Sequence, residues 1–101
     1  MGICVQVVDE FGESESEHIC DPQNHLHRLL ATIPESRFLQ YIDWFGDTIF
    51  NQEQVRDFLK EWGLLLEFVE NEDEKALVEQ IADLAKSIVG KPHTYLKFDG
   101  D

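Results

Sequence analysis

The chain has 101 residues, 43% of them hydrophobic and 11% aromatic, enough apolar material for one packed core and too much for a disordered chain. Its 21 acidic residues against 8 basic ones give a formal net charge of −13. Such a surplus repels nucleic acid and anionic membrane and attracts basic partners over distances near a Debye length, although it also serves solubility, and no apolar run approaches a membrane span.

Ile3 to Val8 predicts a first strand. Ile3, Val5 and Val7 alternate with Cys4, Gln6 and Val8, so both faces are mostly apolar and the strand belongs in the middle of a sheet. Asp9-Glu10-Phe11-Gly12 predicts a turn. The apolar start is too short for a secretory signal and runs at once into acids. Cys4 and Cys20 lie in apolar surroundings, and together these points predict a cytoplasmic protein with two reduced thiols. A Cys4–Cys20 bridge across a hairpin is the alternative. Ser14 to Cys20 reads as a returning edge strand whose charges discourage strand addition. From Asp9 to Asp21 there are six acids and no Lys or Arg. Asp21-Pro22 ends that strand, Asn24 caps a short helix carrying Leu26, Leu29, Leu30 and Ile33, and Pro34 closes it.

Residues 38 to 44 alternate, with Phe38, Gln40, Ile42 and Trp44 on one face, and predict a strand. Phe45-Gly46-Asp47 supplies a turn, and Thr48-Ile49-Phe50 runs back to complete a hairpin. Asn51 is then an N-cap, Glu53 suits the helix dipole, and Gln54 completes a capping-box pattern. The helix runs from Gln52 to about Val69, with Val55, Phe58, Leu59, Trp62, Leu65, Leu66 and Val69 as its apolar stripe. Gly63 interrupts it at a cost of roughly 1 kcal/mol relative to alanine, a position where a neighbouring backbone can approach. Residues 70–74 form a charged link. A second long helix follows, with Ala76, Leu77, Ile81, Leu84, Ala85 and Ile88 on one side, Gly90 as C-cap and Pro92 as stop. Thr94, Leu96 and Phe98 alternate with His93, Tyr95 and Lys97 in a last strand. The expected order is β-β-α-β-β-α-α-β, a single α+β domain over 1–101 with about five strands, mixed or antiparallel, covered on one face by helices.

Three phrases carry a resemblance: Asp21-Pro22-Gln23-Asn24 with Leu26-His27-Arg28-Leu29-Leu30, then Ile42-Asp43-Trp44-Phe45-Gly46-Asp47-Thr48-Ile49-Phe50-Asn51, then His93-Thr94-Tyr95-Leu96-Lys97-Phe98-Asp99-Gly100-Asp101. They resemble those of small uncharacterised bacterial proteins, over nearly the whole chain. The resemblance implies a single-domain bacterial protein and carries no activity with it.

His18, Cys20, His25 and His27 are metal-ligand types within ten residues, close enough to meet across a strand end and a helix start. Their spacing matches no standard zinc finger, and the alternative is a buried Cys20 with surface histidines near acids. Asp43, Asp47, Asp99 and Asp101 can cluster if the last strand lies beside the hairpin, for acid/base work or a hard cation; more often such aspartates stabilise their own turns. No nucleophile has an obvious base, and no Gly-rich phosphate loop or Cys-x-x-Cys is present. Phe45, beside Trp44 and between Asp43 and Asp47, has the composition of a binding hot spot with an acidic rim. The bland alternative is a turn aromatic folded back onto the sheet.

The expected function is a small, acidic, non-enzymatic and monomeric binding protein that neutralises a basic protein partner, as an immunity protein does for a nuclease toxin. It needs no cofactor and contacts neither nucleic acid nor membrane. The partner-binding candidates are Asp43, Trp44, Phe45 and Asp47, with the acidic runs Glu13, Glu15, Glu17 and Glu70, Glu72, Glu74. The alternatives are a nucleic-acid mimic that blocks a nucleic-acid-binding enzyme, and a metal- or small-ligand-binding protein built on the histidine cluster.

Overall fold

The computed structural model describes residues 2–33 and 36–100. Four strands, β1 (Cys4–Asp9), β2 (Ile19–Cys20), β3 (Asp47–Asn51) and β4 (Thr94–Asp99), form one sheet in the order β2-β1-β4-β3, with every neighbouring pair antiparallel. Three helices, α1 (His25–Leu30), α2 (Gln52–Gly63) and α3 (Glu72–Ile88), pack against it. The architecture is α+β, with four strands among the described residues rather than about five.

The core is the side of β4 that carries Thr94, Leu96 and Phe98, met by Val5 and Val7 of β1 and Phe50 of β3. Onto it pack Phe58 and Trp62 of α2, stacked at 5.2 Å. The Trp62 indole N–H donates to the Val78 carbonyl of α3 at 2.9 Å, so the largest core side chain leaves no stranded donor. Among the described residues no helix is long and apolar enough to cross a membrane.

Two helix starts follow from local chemistry. Asn51 accepts from the amides of Glu53 and Gln54, and the Gln54 side chain accepts in return from the Asn51 amide at 2.9 Å, which is a full capping box. Asn71 accepts from the Glu74 amide at 2.9 Å to start α3. Gly90 stands two residues past α3 at φ 74, where the absence of a Cβ removes the strain of the left-handed region.

Elsewhere the expectations need correction. The strand over 38 to 44 and its hairpin are absent. Leu39–Tyr41 is a single 3-10 turn, and Leu39 and Ile42, three residues apart, are the buried pair. The Ser36 hydroxyl accepts from the Gln40 amide at 2.7 Å. The Glu61 carboxylate of α2 takes the amides of Arg37, Phe38 and Leu39. The strand expected over Ser14 to Cys20 shrinks to two residues plus a bridge between Val8 and Ser14.

Asn24 does not cap α1 with its side chain; it sits at φ 58 with no such bond. The buried Asp21 carboxylate caps instead, accepting from the amides of His25 at 2.9 Å and Leu26 at 2.7 Å. α1 ends at Leu30, and Pro34, expected to close it, lies outside the described residues. The helix expected to reach Val69 stops at Gly63 and tightens into a 3-10 segment, Leu64–Glu67. Gly63 faces open space. The close backbone approaches are at Gly2, against the Asp21 carbonyl, and at Gly100, against Asp43 and Gly46.

The two thiols are not reduced. Cys4 and Cys20 face each other in the β1–β2 register and form a disulfide. Apolar flanks suggest buried thiols, but strand pairing brings the two Cα atoms to 4.0 Å.

Candidate functional site

The loop from Ile42 to Asp47 joins the 3-10 turn to β3, and it is held from three directions. The Asp43 carboxylate accepts from the Phe45 amide at 2.9 Å, the turn-stabilising use of an aspartate. The Asp43 amide donates to the Thr48 hydroxyl at 2.8 Å. The Gly46 carbonyl accepts from the Gly100 amide at 2.7 Å. On this fixed loop Phe45 is 83% exposed, so it is not folded back onto the sheet. Tyr41, 69% exposed, and Ile49 on β3, 52% exposed, lie on either side in the chain; the Tyr41 carbonyl is 3.5 Å from the Thr48 hydroxyl. Three large apolar side chains thus face solvent within nine residues.

Trp44 is different. It is half-buried, edge-on to the His27 ring at 4.9 Å between centroids, so it braces the loop against α1. Asp47 stands opposite Asp99 in the β3–β4 register. Lys97 lies between them, its Nζ 3.7 Å from Asp47 and 3.2 Å from Asp99. The Gln6 side-chain amide donates through Nε2 to the Asp99 carboxylate at 2.7 Å. Asp99 is pushed up by burial, but the bonds from Gln6 and Lys97 outweigh that and hold its carboxyl below the ordinary range. The Asp99 bond raises the Lys97 ammonium in turn. Asp47 and Asp99 therefore do cluster, and the single lysine between them offsets only part of their charge; Asp101 lies outside the described residues.

The two acidic runs differ in kind. Glu13, Glu15 and Glu17 are exposed along the β1–β2 connection. Glu70 and Glu72 are exposed too, with Glu70 3.1 Å from Arg28. Glu74, expected on the binding surface, is 3% exposed and faces inward. Its carboxylate accepts from Arg28 through Nε at 3.2 Å and through Nη2, from the Glu70 amide at 2.8 Å, and lies 3.1 Å from His25 Nδ1. Burial raises the carboxyl, and the donors from Arg28, Glu70 and His25 together bring it below the ordinary value. It joins α1 to the start of α3 and is unavailable to a partner.

The histidine and cysteine set does not converge. Cys20 is in the disulfide, His25 is on Glu74, His27 is on Trp44, and His18 is exposed on the wall of an open groove with Gln80, Asp83 and Ser87 of α3. Among the described residues no three such ligands are placed to share a metal ion.

Tyr41 and Ile49 are exposed side chains beside this loop that the aromatic and acidic pattern around Phe45 does not single out. Phe11 is another exposed aromatic, away from this loop. It is 82% exposed at the opposite end of the sheet, on a turn in which Asp9 Oδ1 accepts from the amides of Phe11 and Glu13, each at 2.9 Å. No family model, curated protein or solved structure matches this chain.

Proposed function

We propose that the protein is a small acidic, non-enzymatic binding protein that neutralises a basic protein partner in the manner of an immunity protein, with Phe45 as its central anchor. The observation that carries this reading is a fixed loop holding Phe45 83% exposed, with Tyr41 and Ile49 close by and carboxylates at Asp43 and Asp47. A large apolar side chain held out in water costs solvation and gives nothing to the fold. Aromatic anchors inside a charged rim are the usual centre of a protein interface. The net charge of −13 supplies the steering term for a cationic partner. The Cys4–Cys20 bridge removes the thiol argument for the cytoplasm and supports an oxidising compartment.

The test uses the purified protein and Phe45→Ala side by side. Binding proteins recovered at low salt are identified, purified and taken to stopped-flow association. The reading expects a cationic partner whose association slows as salt rises and whose affinity drops by roughly tenfold or more with Phe45→Ala. An acidic or neutral partner, or rates indifferent to salt, would overturn it.

A further inference from the structure

We propose that the outer edge of β3 is a strand-addition site, and that its occupant is an extended, lysine- or arginine-bearing segment of the basic partner. The proposal rests on the binding reading above and adds how the partner is held.

The backbone of β3 sets the geometry. In an antiparallel ladder the N–H and C=O of successive residues point to opposite sides. The Gly46 carbonyl accepts from Gly100, and the paired register continues through Thr48 with Phe98 and Phe50 with Leu96. Residues 46, 48 and 50 therefore turn their polar groups toward β4. Residues 47, 49 and 51 turn theirs away. The Asn51 amide agrees, since it is taken by the Gln54 side chain of the capping box rather than by β4. The N–H and C=O of Asp47 and Ile49 are left facing outward, and no hydrogen bond to them occurs among the described residues.

The two sheet edges are not alike. β2 is two residues long, tied down by the disulfide and followed by the start of α1. Short length and charge are the usual protections of an edge. β3 has five residues, Asp47-Thr48-Ile49-Phe50-Asn51, with no proline, no lysine and no bulge in its register. Ile49 is exposed on the outer sheet face, next to Lys97 in register.

A strand laid along this edge bonds to Asp47 and Ile49 through its backbone and meets Tyr41, Phe45 and Ile49 with alternate side chains, the pattern of recognition by strand addition. Charge selects the occupant. A second copy of this chain brings another −13, whereas a segment bearing Lys or Arg finds Asp43 and Asp47 along its path.

The probe is a short synthetic peptide of alternating lysine and valine, compared with the same peptide N-methylated at its valines. Amide chemical shifts and hydrogen exchange are followed on the isotope-labelled full chain. The expected result is new protection and shifts at the Asp47 and Ile49 amides with the first peptide and none with the second. Ile49→Pro removes one outward N–H without touching the β4 bonds, a placement that edge strands tolerate. It should weaken the first peptide about tenfold, whereas Ile49→Thr, which keeps the N–H, should weaken it less. Equal binding of both peptides, shifts confined to Phe45 and Tyr41, or no shift at all would overturn strand addition. So would a dimer in sedimentation that Ile49→Pro dissolves, because β3 would then be serving a second copy. If Phe45→Ala leaves peptide affinity intact while Ile49→Pro lowers it, strand addition stands and the Phe45 anchor fails.

Discussion

The amide of Gly100 donates to the carbonyl of Gly46 at 2.7 Å, and through that one bond the end of the last strand holds the loop that presents Phe45. A Cβ on Gly100 would stand 2.5 Å from the Gly46 carbonyl oxygen and 2.6 Å from that of Asp43. Both obstacles are backbone, so the loop must move.

Gly100→Ala should therefore cost about 1–3 kcal/mol, the range of overpacked sites. Gly46→Ala meets only the Asp43 carboxylate, at 2.8 Å, and that side chain can turn away. It should cost less than Gly100→Ala. Urea melts of the two variants give the comparison, and equal losses would mean that Gly100 does not fix the loop.

Phe45→Ala should leave stability within about ±0.5 kcal/mol, as surface changes usually do, because the ring is 83% exposed. A core phenylalanine costs roughly 3–5 kcal/mol. A denaturant melt separates the two ranges before any partner is in hand, and a loss in the core range would remove the anchor.

The disulfide closes a loop spanning 16 residues. Loop-closure entropy for that length is about 3 kcal/mol, so the Cys4→Ser, Cys20→Ser double variant should lose roughly that amount. Thiol titration of the native, unreduced protein should find no free sulfhydryl. A full complement of titratable thiols in protein purified without reductant would show that the bridge does not form.

Glu74 gives acid stability a definite sign. Its folded carboxyl lies below the ordinary value of 4.5. The stability it contributes is complete above that value and is lost as the pH falls through the folded one. Glu74→Gln should cost roughly 2 kcal/mol at neutral pH and make the acid limb of the stability curve shallower. It will not flatten that limb, because Asp99 is held low as well. Urea melts over a pH series would reveal an unchanged slope if Glu74 were ordinary.

What the sequence states well is what neighbours in the chain decide. The Asn51–Gln54 capping box, the apolar stripes of α2 and α3, and the alternation of Thr94, Leu96 and Phe98 each depend on spacings of two to four residues. The misread elements depend on distant groups. Phe38 to Trp44 alternates like a strand, but Glu61, lying 23 residues from Phe38, takes its amide and bends the segment into a turn. Glu74 reads as part of an exposed, charged link until Arg28, 46 residues away, is brought beside it. The exposure of Phe45 lay within reach, since a turn flanked by Asp43 and Gly46 has little to cover it. So did that of Tyr41, which the alternation sets on the face opposite Ile42 and Trp44.

β1 and β4 are the two central strands, and Cys4 stands opposite Asp99. The middle of the sheet therefore cannot form until β4, the last of these four strands in chain order, has been made. While α2 and α3 are being synthesised, Phe58 and Trp62 have neither Leu96 nor Phe98 to pack against. A core closed by its most distant segments has high contact order and folds slowly for its size. Until β4 has been made, the apolar side chains of β1 and α2 that it covers are left open, and apolar surface exposed in this way is prone to aggregate.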